Sequence, residues 1–250
     1  MTRKCAIVTG AARGIGLATT DLFLEMGWQV VMVDRDAAEL DSAAATREDI
    51  LALPYDVSNP QQVNRMVSET LDWSGRVDAL INNAGVAEFG PIADCTFEMW
   101  RRVMETNLDG VFLCSQAAAD ALKATRGAIV NIASISGLRA STLRVAYGTS
   151  KAAVIQLTKQ YAAELGEYGV RANCVCPGPV KTKLSVAVHS PAIIQAYHDA
   201  IPLNRYGSER ELAETICFLA SEKASYVTGQ VVAVDGGFES TGVGLPALRE

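Results

Sequence analysis

The sequence predicts an α/β fold: one doubly wound, seven-stranded parallel sheet with helices on both faces, formed by residues 1–250 as a single domain. Three observations predict it. Seven short apolar runs rich in Val and Ile recur along the chain without the alternation of a half-exposed strand, so they suit strands buried on both faces. Helix-length stretches separate them, which is the βαβ rhythm of a parallel sheet. A glycine-rich turn joins the first strand to the first helix, where a sheet of this class binds its ligand.

The strands are expected in CAIVT (5–9), QVVMV (29–33), ILAL (50–53), DALIN (78–82), GAIVNIA (127–133), VRANCVC (170–176) and QVVAVDG (230–236). Helices are expected in GLATTDLFLEMG (16–27), NPQQVNRMVSETLD (59–72), FEMWRRVMETNLDGVFLCSQAAADALK (97–123) and YGTSKAAVIQLTKQYAAELGEYG (147–169). The longest irregular stretch, roughly 177–205, follows the sixth strand and suits a binding loop or lid.

With 250 residues, 49% hydrophobic and 20% charged, the chain is long enough for one large core. A net charge of -6 and the lack of any basic run argue against a nucleic-acid partner. No apolar stretch reaches membrane-spanning length, and the start, TRK leading into CAIVT, lacks the features of a signal peptide, so a soluble cytoplasmic protein without membrane contact is expected. The six cysteines form no CxxC pair and only two histidines accompany them, so no metal site is expected and the thiols read as core residues. Cys174 and Cys176, two apart in one strand, should face the same side of the sheet.

In TGAARGIG, Gly10, Gly14 and Gly16 let backbone N–H groups approach a pyrophosphate at the positive end of a helix dipole, with Arg13 and Ile15 between them. The second strand runs into Asp34, eighteen residues after Gly16, near the spacing of a carboxylate that binds adenosine ribose hydroxyls. A carboxylate there repels a 2'-phosphate and favours NAD. Arg13 and Arg35 stand where cationic partners of that phosphate would, which keeps NADP as the alternative. In YGTSK, Tyr147 and Lys151 are one helical turn apart and share a face. An ammonium beside a phenol favours phenolate and equips the tyrosine for acid/base work.

Taken with Asp56 and Val57, NNAG at 82–85, the NLDG segment from Asn107, the serine of NIASISG, PGPVKT at 177–182 and VDGG at 234–237, these motifs resemble the short-chain dehydrogenase/reductase family across nearly the whole chain. The resemblance implies a Rossmann-type NAD(P)-dependent oxidoreductase. By the same resemblance Asp56 binds the adenine amino group, Val57 supplies a backbone contact, and Asn83, Ala84 and Gly85 line the adenine and ribose side. Pro177, Gly178, Val180 and Thr182 border the nicotinamide. Asn107 holds a water in a proton relay to Lys151, Ser134 orients the substrate oxygen, Tyr147 is the acid/base, and Lys151 lowers its pKa and holds the nicotinamide ribose.

Substrate contacts are expected from Ser134, Tyr147, Gly178 and Leu184, with Arg144 or Arg139 attracting an anionic or polyhydroxylated substrate, Glu88 and Phe89 on the opposite wall, and His189 and His198 nearby. The expected reaction interconverts a secondary alcohol and a ketone, with an NAD-linked dehydrogenase of a small polyol, sugar or cyclic alcohol as the first reading. Alternatives are an NADPH-dependent 3-oxoacyl-carrier-protein reductase and, in another class, an inactive cofactor-binding sensor or scaffold. Relatives imply a homotetramer through the helices 97–123 and 147–168, a homodimer being the other option.

Overall fold

The computed structural model describes residues 3–181 and 190–242. Its apolar runs become β1 (Cys5–Thr9), β2 (Gln29–Val33), β3 (Ile50–Leu53), β4 (Ala79–Asn82), β5 (Ala128–Ile132), β6 (Arg171–Pro177) and β7 (Val231–Val234). All pair in parallel, in the order β3-β2-β1-β4-β5-β6-β7. The four residues of β4 and all five of β1 and β5 are buried, as unbroken apolar strands in a doubly covered sheet must be. The order of strands reverses between β1 and β4, and a crevice opens beyond their C-terminal ends.

The helices are α1 (Gly14–Glu25), α2 (Ala37–Ala44), α3 (Pro60–Ser74), α4 (Phe97–Met104), α5 (Gly110–Thr125), α6 (Ile135–Leu138), α7 (Val145–Leu165), α8 (Pro191–Ala200) and α9 (Glu209–Ala220). One core layer packs Phe23, Leu40, Leu212 and Ile216 from α1, α2 and α9 against Val8, Met32 and Ile81. The other packs Met66, Leu122 and Leu165 from α3, α5 and α7 against Ile7, Leu80 and Ile129. Each such fully buried Leu, Ile or Phe stabilises the fold by about 1.5–3 kcal/mol. Cys174 and Cys176 share a third cluster with Ala133, Val154 and Ile155, the common face their spacing predicts.

The structure departs from the sequence reading in two places. The expected helix over 97–123 is interrupted by a π-helical turn, Glu105–Asp109, which widens the backbone around Asn107. The expected irregular stretch 177–205 contains α8. Ser190 caps it by accepting from the Ile193 N–H, and Pro191 occupies its first position, where a missing N–H costs nothing. Thr182, Leu184 and His189 lie outside the described residues. Among those described, no helix is long and apolar enough to cross a membrane.

Candidate active site

At the end of β1 the chain turns through Gly10 and Gly14, both in the left-handed region at φ +64° and +61°, which only glycine adopts freely. Gly16 is needed for space: a Cβ there would stand 2.1 Å from the Gly10 carbonyl oxygen. The turn is tied to β4 by Asn83, whose Nδ2 donates to the carbonyls of Thr9 (2.9 Å) and Gly10 (3.1 Å). Thr9 Oγ1 in return accepts from the backbone N–H groups of Asn83 and Ala84, each at 3.0 Å. The two strands at the switch point are thus fixed to each other by side chains.

A cavity of about 850 Å³ opens over this turn, within the range of small-molecule sites. Its lining includes Gly10, Arg13, Gly14, Ile15, Asp34, Arg35, Asp56, Val57, Asn83, Ala84 and Gly85, together with Thr106 and Glu209, which sequence reasoning did not single out. Asp34 accepts from the N–H groups of Ala12 (3.2 Å) and Asp36 (3.1 Å), which set its carboxylate at the cavity wall. Arg13 pairs with Asp36, and Arg35 is exposed. Asp56 is oriented by Ser58, whose N–H and hydroxyl donate to it at 2.9 and 2.7 Å. Val57 is buried, and its side chain occupies the space a Cβ on Gly110 would need. A glycine cradle that added side chains would fill, followed by a carboxylate-lined pocket, fits a dinucleotide.

Beyond Gly85 the chemistry changes. Lys151 is buried, and its Nζ donates to the Ile132 carbonyl at 2.8 Å while lying 5.7 Å from the centre of the Tyr147 ring. Burial lowers the Lys151 pKa to about 8. Asn107, in the π-turn, clamps the backbone of Val86: Oδ1 accepts from its N–H at 2.8 Å and Nδ2 donates to its carbonyl at 2.9 Å. The same Nδ2 donates to Ser150 Oγ at 3.1 Å. A Cβ on Gly85 would stand 3.3 Å from Asn107 Oδ1 and 3.4 Å from Lys151 Nζ, so this glycine lets the two halves of the cleft meet.

Ser134 caps α6 by accepting from the Ser136 N–H at 3.1 Å, and its hydroxyl is near enough to Tyr147 to favour the ionised phenol. Burial raises the Tyr147 pKa above its ordinary value, against the opposing effects of Ser134 and the Arg144 charge. In the protein alone, loss of hydration thus outweighs the influences that favour phenolate.

Residues 10–239 match the family model described as Enoyl-(Acyl carrier protein) reductase. The chain is 38% identical over 239 residues to the 3-oxoacyl-[acyl-carrier-protein] reductase FabG of Thermotoga maritima, covering 94% of this chain and 97% of that one. It is 38% identical over 241 residues to the galactitol 2-dehydrogenase of Rhizobium johnstonii, covering 93% and 94%. Among solved structures, a proposed gluconate dehydrogenase of Agrobacterium tumefaciens superposes with a TM-score of 0.89 at 31% identity, over 95% of this chain and 96% of that one. The chain belongs to the short-chain dehydrogenase/reductase family. It is accordingly an oxidoreductase acting on a secondary alcohol and ketone pair.

In this short-chain dehydrogenase/reductase, Pro177 ends β6 and Gly178 donates to the Val234 carbonyl at 3.1 Å. A Cβ on Gly178 would meet Asp235 Cβ at 2.5 Å, so the VDGG segment closes tightly on it. Val180 is buried in the core and its backbone bridges to Gly207. Phe89 sets its ring edge-on to Tyr147, with centres 6.5 Å apart, and the Arg144 guanidinium lies 4.8 Å above Phe89. Arg139 lies 4.0 Å above Phe238, whereas Glu88 is bound by Arg102 at 2.9 and 3.0 Å and His198 sits edge-on to Tyr206. Sequence reasoning also passed over a buried polar ladder. Asn82 Nδ2 donates to Ser115 (3.0 Å) and Asn131 (2.8 Å), and Asn131 donates to Thr158 (2.9 Å), locking β4 and β5 to α5 and α7. The available signal was an asparagine inside each of two apolar strands.

Proposed function

We propose that the protein is an NAD-linked dehydrogenase of a small polyol, sugar or cyclic alcohol. The observation that carries this reading is Asp34, held by two backbone N–H groups at the cavity wall where it suits ribose hydroxyls and opposes a 2'-phosphate. Arg13, the nearest cation within the glycine loop, is already paired with Asp36. The residues that would hold the dinucleotide are Gly10, Gly14, Ile15 and Gly16 at the pyrophosphate, Asp34 at the ribose, and Asp56, Val57, Asn83, Ala84 and Gly85 on the adenosine side. Lys151, Pro177, Gly178, Val180 and Thr182 would serve the nicotinamide end. When bound, the nicotinamide supplies or accepts the hydride.

The protein's own part is proton transfer and orientation. Tyr147 takes the hydroxyl proton of an alcohol during oxidation and returns it to a ketone during reduction. Ser134 would donate to the same oxygen as charge develops there, and its influence on the Tyr147 phenol supports this reading. Lys151, with its pKa near 8, supplies a cation close to the ring and exchanges protons near neutrality. Asn107 fixes the Val86 backbone and would hold the water of a proton relay to Lys151. Phe89 packs edge-on beside the tyrosine ring.

A second reading, an NADPH-dependent 3-oxoacyl thioester reductase, is favoured by exposed Arg35 at the cavity wall and by the FabG relative. Six free thiols suit a reducing cytoplasm, and the family resemblance favours a homotetramer over a homodimer, readable by light scattering. The deciding experiment follows absorbance at 340 nm with NAD and NADP across polyols, sugars, cyclic alcohols and a 3-oxoacyl thioester. Reduction of NAD by a polyol or cyclic alcohol supports the first reading. NADPH oxidation by the thioester, with no polyol turnover, replaces it with the second.

A further inference from the structure

Arg144 is held within its own fold by an aromatic ring and not by a carboxylate. Several arginines hold carboxylates, Arg47 with Asp21, Arg76 with Asp78, Arg102 with Glu88 and Arg210 with Glu25, while Arg65, Arg139 and Arg144 lie over aromatic rings. Among the described residues Arg144 pairs with no carboxylate, and residues 182–189, TKLSVAVH, contain no Asp or Glu. It stands at the N-cap of α7, a 21-residue helix with no side-chain cap and no acidic residue in its first turn, so that turn offers its cation no carboxylate. The residue before it, Leu143, is held at φ +64°, a left-handed conformation that is rare for a bulky side chain. A hydrogen bond from the Gly90 N–H to the Leu143 carbonyl (3.0 Å) fastens this strained turn to the loop carrying Phe89. Strain of this kind concentrates at binding and catalytic positions.

The result is an ordered stack of Arg144, Phe89 and Tyr147. A guanidinium lying over a ring uses its face and leaves its edge N–H donors free, in the planar fork that matches a carboxylate. Phe89 is 46% exposed, so the stack reaches the surface beside Tyr147 and does not lie in the core. Burial of the tyrosine raises the value of a fixed charge nearby, and the Arg144 charge does act on Tyr147.

We propose that Arg144 binds an anionic group of the substrate, so that the preferred secondary alcohol or ketone is a hydroxy- or oxo-carboxylate. This rests on the oxidoreductase reading above and takes the substrate from a charged class in place of the neutral polyols and alcohols proposed there. The fork supplies two charge-assisted donors to the carboxylate, and the strained Leu143 turn sets their position relative to the Tyr147 hydroxyl.

The test compares pairs that differ only in charge or nearly so: gluconate against sorbitol for oxidation, and acetoacetate against its ethyl ester for reduction. The carboxylates should be preferred in kcat/KM. Arg144→Gln should lower kcat/KM for the carboxylates by about 10- to 100-fold, through KM, and leave the neutral partners within about twofold. Arg144→Lys should recover part of the loss, because it keeps the charge without the fork. In parallel, malonate should alter the emission of bound NADH, with an affinity at least about tenfold weaker in Arg144→Gln. Preference for the neutral partners, or equal losses for both members of each pair, overturns the proposal and leaves the oxidoreductase reading standing. Absence of hydride transfer with every compound overturns that reading instead, and malonate binding then decides the role of Arg144: Arg144-dependent binding upholds it and indifference rejects it.

Discussion

The two halves of the cleft are built by different means. The half around Gly10, Gly14 and Gly16 is a backbone structure: two positive-φ glycines, a third with no room for a Cβ, and charges neutralised locally by the Arg13–Asp36 pair and by N–H donors on Asp34. The half around Tyr147 is made of side chains under stress. Its lysine is buried with a depressed pKa, its phenol is raised by burial, its arginine pairs with no carboxylate among the described residues, and Leu143 is strained. A site that only binds can be electrostatically satisfied. A site that moves protons keeps groups poised between states, which is why perturbed groups collect there.

The largest expected effect that would sharpen this contrast is Tyr147→Phe, which should lower kcat by about 10²–10⁴-fold while leaving NAD affinity within about twofold. Stopped-flow turnover and fluorescence titration of NADH read the two quantities separately, and a matching fall in affinity would erase the division. Gly16→Ala should do the reverse. Its Cβ, 2.1 Å from the Gly10 oxygen, should destabilise the fold by about 1–3 kcal/mol and weaken dinucleotide binding, as seen in urea unfolding and the same titration.

Lys151→Met tests the cost of poising. The folded pKa of about 8 lies below the ordinary 10.5, so folding disfavours the charged lysine. That cost is fully present below pH 8 and fades as pH rises toward 10.5. The variant should be inactive yet about 1–3 kcal/mol more stable at pH 7, with the gain shrinking at high pH. Urea midpoints measured across that interval check the sign, and a gain independent of pH would refer it to packing. The smallest effect is expected from Asp34→Ala, which should shift the NADP-to-NAD ratio of kcat/KM by about tenfold toward NADP with little change in kcat. An unchanged ratio would remove Asp34 from cofactor selection.

The same division governs what could be read from the sequence. The strands followed from unbroken apolar runs, and the glycine turn was legible because backbone geometry demands glycine at those positions. Tyr147 and Lys151 were legible as a helical pair. The Asn107 clamp on Val86 and the polar ladder from Asn82 to Thr158 were not, since they depend on a π-turn and on cross-strand partners far apart in the chain. The Ser190–Pro191 start of α8 was present as a local signal but lay within a stretch too mixed in polarity to show a helical face. The rise in the Tyr147 pKa was hidden for a related reason, because burial belongs to the assembled fold and not to a five-residue segment.

The central claim, hydride transfer governed by Tyr147, is tested most directly by isotope transfer. The secondary alcohol that gives the highest turnover would be deuterated at its carbinol carbon and incubated with NAD, and the reduced cofactor examined by NMR. The account predicts one deuterium per turnover at C4 of the nicotinamide in the wild type and almost none over the same time with Tyr147→Phe. Unlabelled NADH from the wild type, or equal labelling by the variant, would contradict it.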